Sequence, residues 1–447
     1  MFAESEIYRQ ILAVAPVCYN EFTMGMGYGW TAPILTKLKN SGYYSVEELS
    51  WIGSIHEFGR VIGPSLAAVL LDRIGRKKCL IICSLLFLAS WFGIIFAKSV
   101  LWICLFRLIF GIGNGINDVT SSVYLGENYP SHVRGIFCVA VIVCFCVGEL
   151  LQFVLASWID YRTIAIINCS IAFVGVLVTG LLVETPQFLL MKNERYEACR
   201  NFSWLRGVHD TCGGTNEFAK IKQNIEEERR KKASFKELFK ARANYKSLTI
   251  IFMLNVFTMG TGYAAVQSYM TMVFSSSGTF SEYQFTMMYA VIQLIASFST
   301  SLLIERFDRR VMVLLCYASI AGINTITAIL LYVQQNVTPM ECFPWLIFSA
   351  VSIYGAIYAV LFPVVHMIRG ELFPQSIKAI GGFVAITTHS IMAFVTTRIF
   401  LSIANDYGTY SNFLLYAVMS LMAFVYNYSQ LPETRGKLLV DIQKCLE

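Results

Sequence analysis

The chain has 447 residues, 56% of them hydrophobic and only 14% charged, with a mean hydropathy of +0.58 and a formal net charge of +6. Soluble domains carry about 25% charged residues, so a water-soluble globular fold is excluded for the chain as a whole. The modest positive charge follows loop topology better than any nucleic-acid partner.

A bilayer core about 30 Å thick needs roughly 20 mostly apolar residues per spanning helix. Runs of that length fall near 9–30, 50–71, 79–97, 101–124, 135–157 and 162–183, then near 247–274, 283–304, 311–333, 344–369, 379–402 and 411–430. The first run follows the acidic stretch MFAESEIYRQ with no small-residue cleavage site behind it, so it reads as a span rather than a signal peptide. Cysteines such as Cys138, Cys144 and Cys146 lie inside spans without a regular framework and read as packing residues. The segment 184–246 is the one soluble stretch of size. Its mixed charges and helically spaced apolar residues predict two or three short interfacial helices. The chain therefore divides into a six-helix bundle (1–183), a cytoplasmic linker (184–246), a second six-helix bundle (247–430) and a cytoplasmic tail (431–447).

If the spans alternate, Arg73, Arg76, Lys77, Lys78, Arg134, Arg306, Arg309, Arg310, Lys378, Arg435 and Lys437 share one side with the linker. The other side holds Lys37, Lys39, Lys98 and Arg162, with Arg398 near a span end. The positive-inside rule places the basic side, and both termini, in the cytoplasm. The sequon Asn336-Val337-Thr338 falls on the outer side.

The halves echo one another. LLDRIGRKKCL (70–80) and LLIERFDRRVM (302–312) each set an acid and a basic knot after an apolar run. Glu127, Pro130 and Arg134 in GENYPSHVRG match Glu371, Pro374 and Lys378 in GELFPQSIKA at identical spacing. Glu184-Thr185-Pro186 is echoed by Pro432-Glu433-Thr434. Basic loops are common to membrane proteins, but matched acids and prolines point to duplication. Two parallel six-helix repeats with substrate near the midplane are a known transporter plan.

These motifs carry a resemblance. GPSLAAVLLDRIGRKK resembles the loop signature of the major facilitator superfamily; VYLGENYPSHVRG, VETPQFLL, GELFP and LPETRGK together resemble its sugar porter family. GYGWTAPILTKL and ELSWIGSIHEFGRVIGP are similar to the insect trehalose-facilitator branch. The resemblance covers almost the whole chain and implies an all-α membrane protein with twelve transmembrane helices in two bundles, the major facilitator fold. It assigns a cytoplasmic gate to Asp72, Arg76, Glu127, Arg134, Glu184, Glu305, Arg309, Arg310, Glu371, Lys378 and Glu433. These charges would pair across the halves when the inner side closes and separate when it opens. Asp308 stands where the family has a glycine, and Gln187 where it has an arginine.

The substrate pocket departs further. The family's Gln-Gln-Leu-Ser-Gly-Ile-Asn run falls on Thr258, Met259, Gly260, Thr261, Gly262, Tyr263 and Ala264; its fifth-span glutamine falls on Ile142. Its tenth-span tryptophan falls on His366 and an eleventh-span asparagine on His389. The eighth-span amide survives as Gln293, with Asn255 a turn before Thr258. Sugar hydroxyls need donors and acceptors, so Gln293, Thr258, Asn255, His366, His389 and Asp118 are the substrate-binding candidates. Charge replaces the lost amides. Glu21, Glu57, Arg60, Arg107, Asp118 and Glu149 lie within spans, where each costs about 2.5–3.5 kcal/mol at a helix centre and calls for a partner or a wet cavity. Arg107 matches a family arginine, and Glu57 and Arg60 pair on one helix. Glu21, Arg107, Asp118 and Glu149 are the candidates for coupling to protons.

No dinucleotide fingerprint, phosphate loop, His-Glu-x-x-His or paired Cys-x-x-Cys is present, so no enzyme, cofactor or metal is expected. The glycines of FGIGNG read as helix-packing positions. Three functions fit. The first is sugar transport (trehalose, hexose or related polyol) across the plasma membrane, by uniport or with protons. The others are transport of another small polar or cationic metabolite, and a sensor-like member that does not transport.

Overall fold

The computed structural model describes residues 2–129, 131–207, 218–219, 221, 223, 242–274, 280–304, 306–336, 343–372 and 378–433. Before the linker come α1 (Phe2–Gly29), α2 (Thr31–Asn40), α3 (Val46–Ile74), α4 (Arg76–Ile95), α5 (Val100–Asn128), α6 (Ser131–Trp158) and α7 (Tyr161–Gly180). Two short helices follow, α8 (Pro186–Met191) and α9 (Arg195–Arg206). The second set is α10 (Arg242–Gly260), α11 (Tyr263–Val273), α12 (Glu282–Ile304), α13 (Arg309–Asn336), α14 (Phe343–Leu372), α15 (Lys378–Tyr407) and α16 (Thr409–Gln430). Counting α1 with α2, and α10 with α11, as one interrupted helix each gives twelve long units among the described residues.

The interruptions have local causes. Gly262 has φ +89°, and a Cβ there would sit 2.2 Å from the Tyr416 ring, so the helix unwinds where only glycine fits. Starts are set by caps. Ser45 and Glu48 form a capping box on α3, and Thr185 caps α8, which carries Pro186 at its first position.

Among the described residues, nine helical stretches are long and apolar enough to cross a membrane. α3, with Glu57 and Arg60 at its centre, is not one of them. Outward faces are apolar, with Leu101, Phe92, Leu177 and Val425 exposed as lipid requires. An apolar groove of about 970 Å³ between α4 and α7, lined by Leu85, Leu88, Phe92, Ile166, Phe173 and Val174, belongs to that flank. The cysteines described are free thiols.

Lipid gives helices no hydrophobic reason to associate, so close backbone approach does the work. α3 and α5 show it. A Cβ on Gly111 would lie 2.0 Å from the His56 carbonyl oxygen, and one on Gly63 would lie 2.5 Å from the Gly115 Cα. Gly111 and Gly115 of FGIGNG set α3 against α5, while Gly113 between them faces Phe87 and Leu86 on α4. Across the two halves α3 packs on α15, α6 on α12, and α2 on α11.

Candidate functional site

The close α3–α5 contact places a chain of charges inside the first half. Arg107 is fully buried; its Nη1 donates to the Gly27 carbonyl (2.9 Å), and its Nη2 donates to the Thr31 hydroxyl (2.6 Å) and meets His56 Nδ1 at 3.1 Å. A guanidinium only donates, so His56 Nδ1 accepts and its proton sits on Nε2, 3.3 Å from Glu57 Oε1. Glu57 Oε2 holds Arg60 at 3.2 Å, and Arg60 reaches Asp118 on α5 at 2.8 Å. Two cations and two carboxylates thus alternate through one histidine, which is how buried charge is tolerated. Asp118 is the wet end, its side chain 23% exposed. The i,i+3 pair expected of Glu57 and Arg60 is present, with Asp118 as a third member.

The other two acids stand apart. Glu21 accepts from Asn117 at 2.8 Å. Glu149 accepts from Gln267 on α11, a hydrogen bond that joins the two halves. Nothing in a one-dimensional reading singles out Gln267 or His56, since both get their partners from tertiary packing.

In the second half the polar residues gather on one stripe of α14. Gly355, Tyr358, Phe362, His366 and Arg369 follow one another at intervals of three or four residues and share a face. Tyr263, just past the Gly262 break, stacks on Tyr358 with ring centroids 3.7 Å apart and planes 5° from parallel. Phe362 lies 4.1 Å from the His366 ring and 5.8 Å from that of His389. His366 Nδ1 faces the Phe362 carbonyl at 2.9 Å and so carries the proton, leaving Nε2 to accept from Arg369 at 3.1 Å. The second terminal nitrogen of Arg369 meets His389 Nδ1 at 3.3 Å.

His366 and His389 are therefore brought together, with ring centroids 6.2 Å apart. Thr258 joins less directly. It is fully buried, donates to or accepts from Tyr317 at 2.8 Å, and bonds the Leu254 carbonyl. Asn255 is buried as well and donates to the Ile251 carbonyl at 2.7 Å. Gln293 reaches the Tyr289 hydroxyl at 2.7 Å and lies against Gly355, at the other end of the α14 stripe. Arg369 is absent from the sequence-based candidates because it ends a predicted span and reads as a flanking cation. Its spacing of three from His366 was the available signal.

The basic face carries the expected gate residues in within-half pairs. Arg76 donates to Glu127 at 2.5 Å, and Thr185 to the other Glu127 oxygen at 2.6 Å. Glu184 accepts from the backbone N–H groups of Arg76 (3.0 Å) and Lys77, and Glu433 from those of Arg309 (3.2 Å) and Arg310 (3.0 Å). Arg134 donates to the carbonyls of Gly126 and Tyr129. Asp72 ends α3 on this face. Glu305 lies outside the described residues, as do the side chains of Glu371 and Lys378. The opposite face is different. There Arg398 bridges the halves, bonding Ser50 (2.9 Å) and pairing with Glu47 (3.3 Å) while stacking 4.6 Å from the Trp51 ring. Among the described residues, hydrogen bonds between the halves run from mid-membrane to that face.

Two six-helix sets around a polar midplane, packed together towards one face, define a polytopic membrane transporter of the major facilitator type. The family described as "Sugar (and other) transporter" matches residues 19–446, and the chain belongs to it. It is 27% identical over 441 residues to the facilitated trehalose transporter Tret1 of Bombyx mori, covering 98% of this chain and 86% of that one. The Tret1 of Aedes aegypti is 28% identical over 447 residues, and the chain spans 55% of its length. The sugar transporter ERD6-like 7 of Arabidopsis thaliana is 27% identical over 432 residues, covering 96% of this chain and 91% of that one. Among solved structures, an inward-open xylose transporter XylE from E. coli superposes with a TM-score of 0.80 at 18% identity, covering 97% of this chain and 99% of that one. A D-xylose-proton symporter superposes with a TM-score of 0.72 at 18% identity, covering 96% and 99%.

Proposed function

We propose that the protein moves a sugar or related polyol across the plasma membrane by alternating access, with the basic face and both termini in the cytoplasm. The observation that supports this best is the asymmetry of the charged contacts seen among the described residues: bridged between halves at one face, made within halves at the other. A transporter resting with its inner side open has this pattern. Closing that side would bring the Arg76–Glu127–Glu184 and Arg309–Arg310–Glu433 groups towards each other, and a network of partly buried pairs biases such an equilibrium by a few kcal/mol. The positive-inside rule supports the orientation.

Coupling to protons is the second part of the reading. Glu149 ties α6 to α11, so a change in its charge acts on an inter-half contact; Glu21 and Asp118 are the alternatives. Uptake of labelled glucose, trehalose and xylose into proteoliposomes, with and without a pH gradient, tests both parts. At least one sugar should accumulate by a saturable route. An inward proton gradient should raise the uptake, and Glu149→Gln should abolish that response while leaving counterflow. No saturable uptake of any sugar removes the transport reading. Uptake indifferent to the gradient removes the coupling.

A further inference from the structure

In the first half Arg107 also rests on a neutral histidine, but His56 is backed by Glu57; among the described residues Arg369 has no carboxylate behind its histidines. It is 7% exposed, so its guanidinium does not reach out to the membrane surface as a last-turn cation normally does. Its two terminal nitrogens point at His366 and His389, both set to accept and therefore neutral, and its Nε is buried without a partner. Among the described residues no carboxylate pairs with it, whereas Arg60 is held by two. Two neutral imidazoles orient a guanidinium without cancelling its charge. Buried uncompensated charge is costly, and retaining it fits a partner that arrives from outside.

The approach is open. His366 is exposed while Arg369 and His389 behind it are buried. Arg60 lies within electrostatic reach of all three, so the cluster faces α3 across the gap between the halves. Arg107 and Arg60 already balance Glu57 and Asp118, which leaves the one positive charge of Arg369 for a ligand and two carboxylates nearby to repel a dianion.

We infer that Arg369, oriented by His366 and His389 at the foot of the aromatic stripe of α14, recognises a single carboxylate on a polyhydroxylated substrate, that is, a sugar acid. The inference rests on the transport reading above and narrows its substrate class. Phe362 and Tyr263, both half-buried and backed by the buried Tyr358, supply apolar faces for a sugar ring. Guanidinium suits this role because its planar fork matches a carboxylate.

D-glucuronate and D-glucose differ at one carbon and make a matched pair of probes. In proteoliposomes of the full chain, glucuronate should compete for labelled sugar uptake at a concentration about tenfold or more below that of glucose, the scale of one charge-assisted contact. Arg369→Gln should raise the glucuronate inhibition constant by about tenfold relative to that of glucose. The unmutated protein gives an independent readout in detergent: glucuronate should raise its thermal midpoint more than equal glucose does. Glucose uptake with glucuronate no better a competitor overturns the sugar-acid inference and leaves sugar transport standing. A variant slowed equally for both sugars, with affinities unchanged, makes Arg369 part of the conformational switch and overturns it too. Absence of uptake and of any thermal shift with either compound overturns both readings.

Discussion

The two halves repeat one scaffold and diverge in what they hang on it. At the basic face, Glu184 in the first half and Glu433 in the second each accept hydrogen bonds from two consecutive backbone N–H groups at a helix start, α4 and α13. Those groups are orphan donors at the positive end of a helix, so a carboxylate there is favoured twice over. Yet the residue before the helix differs. Gly75 has φ +92°, and a Cβ would lie 2.3 Å from Glu184 Oε2; its partner position holds Asp308, whose φ is not positive. Towards the midplane the divergence widens. The first half closes its charges on themselves through Arg107, His56, Glu57, Arg60 and Asp118, while the second leaves Arg369 between two neutral histidines. The halves share what the backbone demands at these helix starts and differ in the polar groups towards the midplane.

The sharpest way to break this comparison is to remove the central arginine from each half. Arg60→Met leaves the buried Glu57 with only His56 beside it and takes the partner from the partly exposed Asp118, and the expected loss is about 3 kcal/mol, seen as a large drop in thermal midpoint of the detergent-purified protein. Arg369→Met removes a charge that no described carboxylate compensates, and apolar replacement of such a group is neutral or stabilising. Equal losses in the two variants would mean that Arg369 is compensated after all, and the contrast between the halves would disappear.

Next in size is the loop contrast. Gly75→Ala forces a side chain into a left-handed backbone and against Glu184, for a loss of about 1–3 kcal/mol. Asp308→Ala meets neither obstacle and should lower the thermal midpoint less than Gly75→Ala does. If Gly75→Ala is as mild as Asp308→Ala, Glu184 moves aside freely and is not a fixed cap.

How much of this was legible beforehand depended on the range of the interaction. Spans, caps and glycine-packed contacts are written locally. A run of twenty apolar residues, a Ser-x-x-Glu or a Gly-x-Gly-x-Gly carries its own physical reason, and the structure has helices, a capping box and close α3–α5 packing at those places. The echo of Glu184 and Glu433 was visible as a repeated motif, though its role as a double N–H acceptor was not, because the chain reaches those helix starts from more than 100 residues away. The site is least local. The resemblance puts Thr258 among the pocket residues, and only the structure shows its hydroxyl bonded to the Leu254 carbonyl and to Tyr317. Arg369 looked like a flank, and it is buried among histidines. Charge in a membrane span signals that a partner is needed. It does not say where the partner is, or whether the chain supplies one.

The mildest contrast concerns the last helix of each half. α7 begins at Asp160, whose carboxylate accepts from the Thr163 hydroxyl (2.7 Å) and from the backbone N–H groups of Arg162 (3.1 Å) and Thr163 (3.2 Å). α16 begins at Gly408, with φ +93° and no side-chain cap. Losing an N-cap costs about 0.5–2 kcal/mol, and the exposure of this loop puts Asp160→Ala at the low end. The bonds from Thr163 hold the Asp160 carboxyl below its usual range. A depressed carboxyl stabilises the fold while it is ionised, so the contribution is complete at neutral pH. It fades as the pH drops below the unfolded value of about 4 and through the folded one. The gap in thermal midpoint between parent and Asp160→Ala should therefore stay constant from pH 8 to about pH 5 and narrow in stronger acid. A gap that widens in acid would mean the side chain works through packing instead. Gly408→Asp offers the reverse test. A Cβ there would fall 2.7 Å from Gln335 Oε1, and the backbone is one that only glycine adopts without strain, so transplanting the cap should lower stability rather than raise it. A gain would show that the bare start of α16 is an omission, not a requirement of its turn.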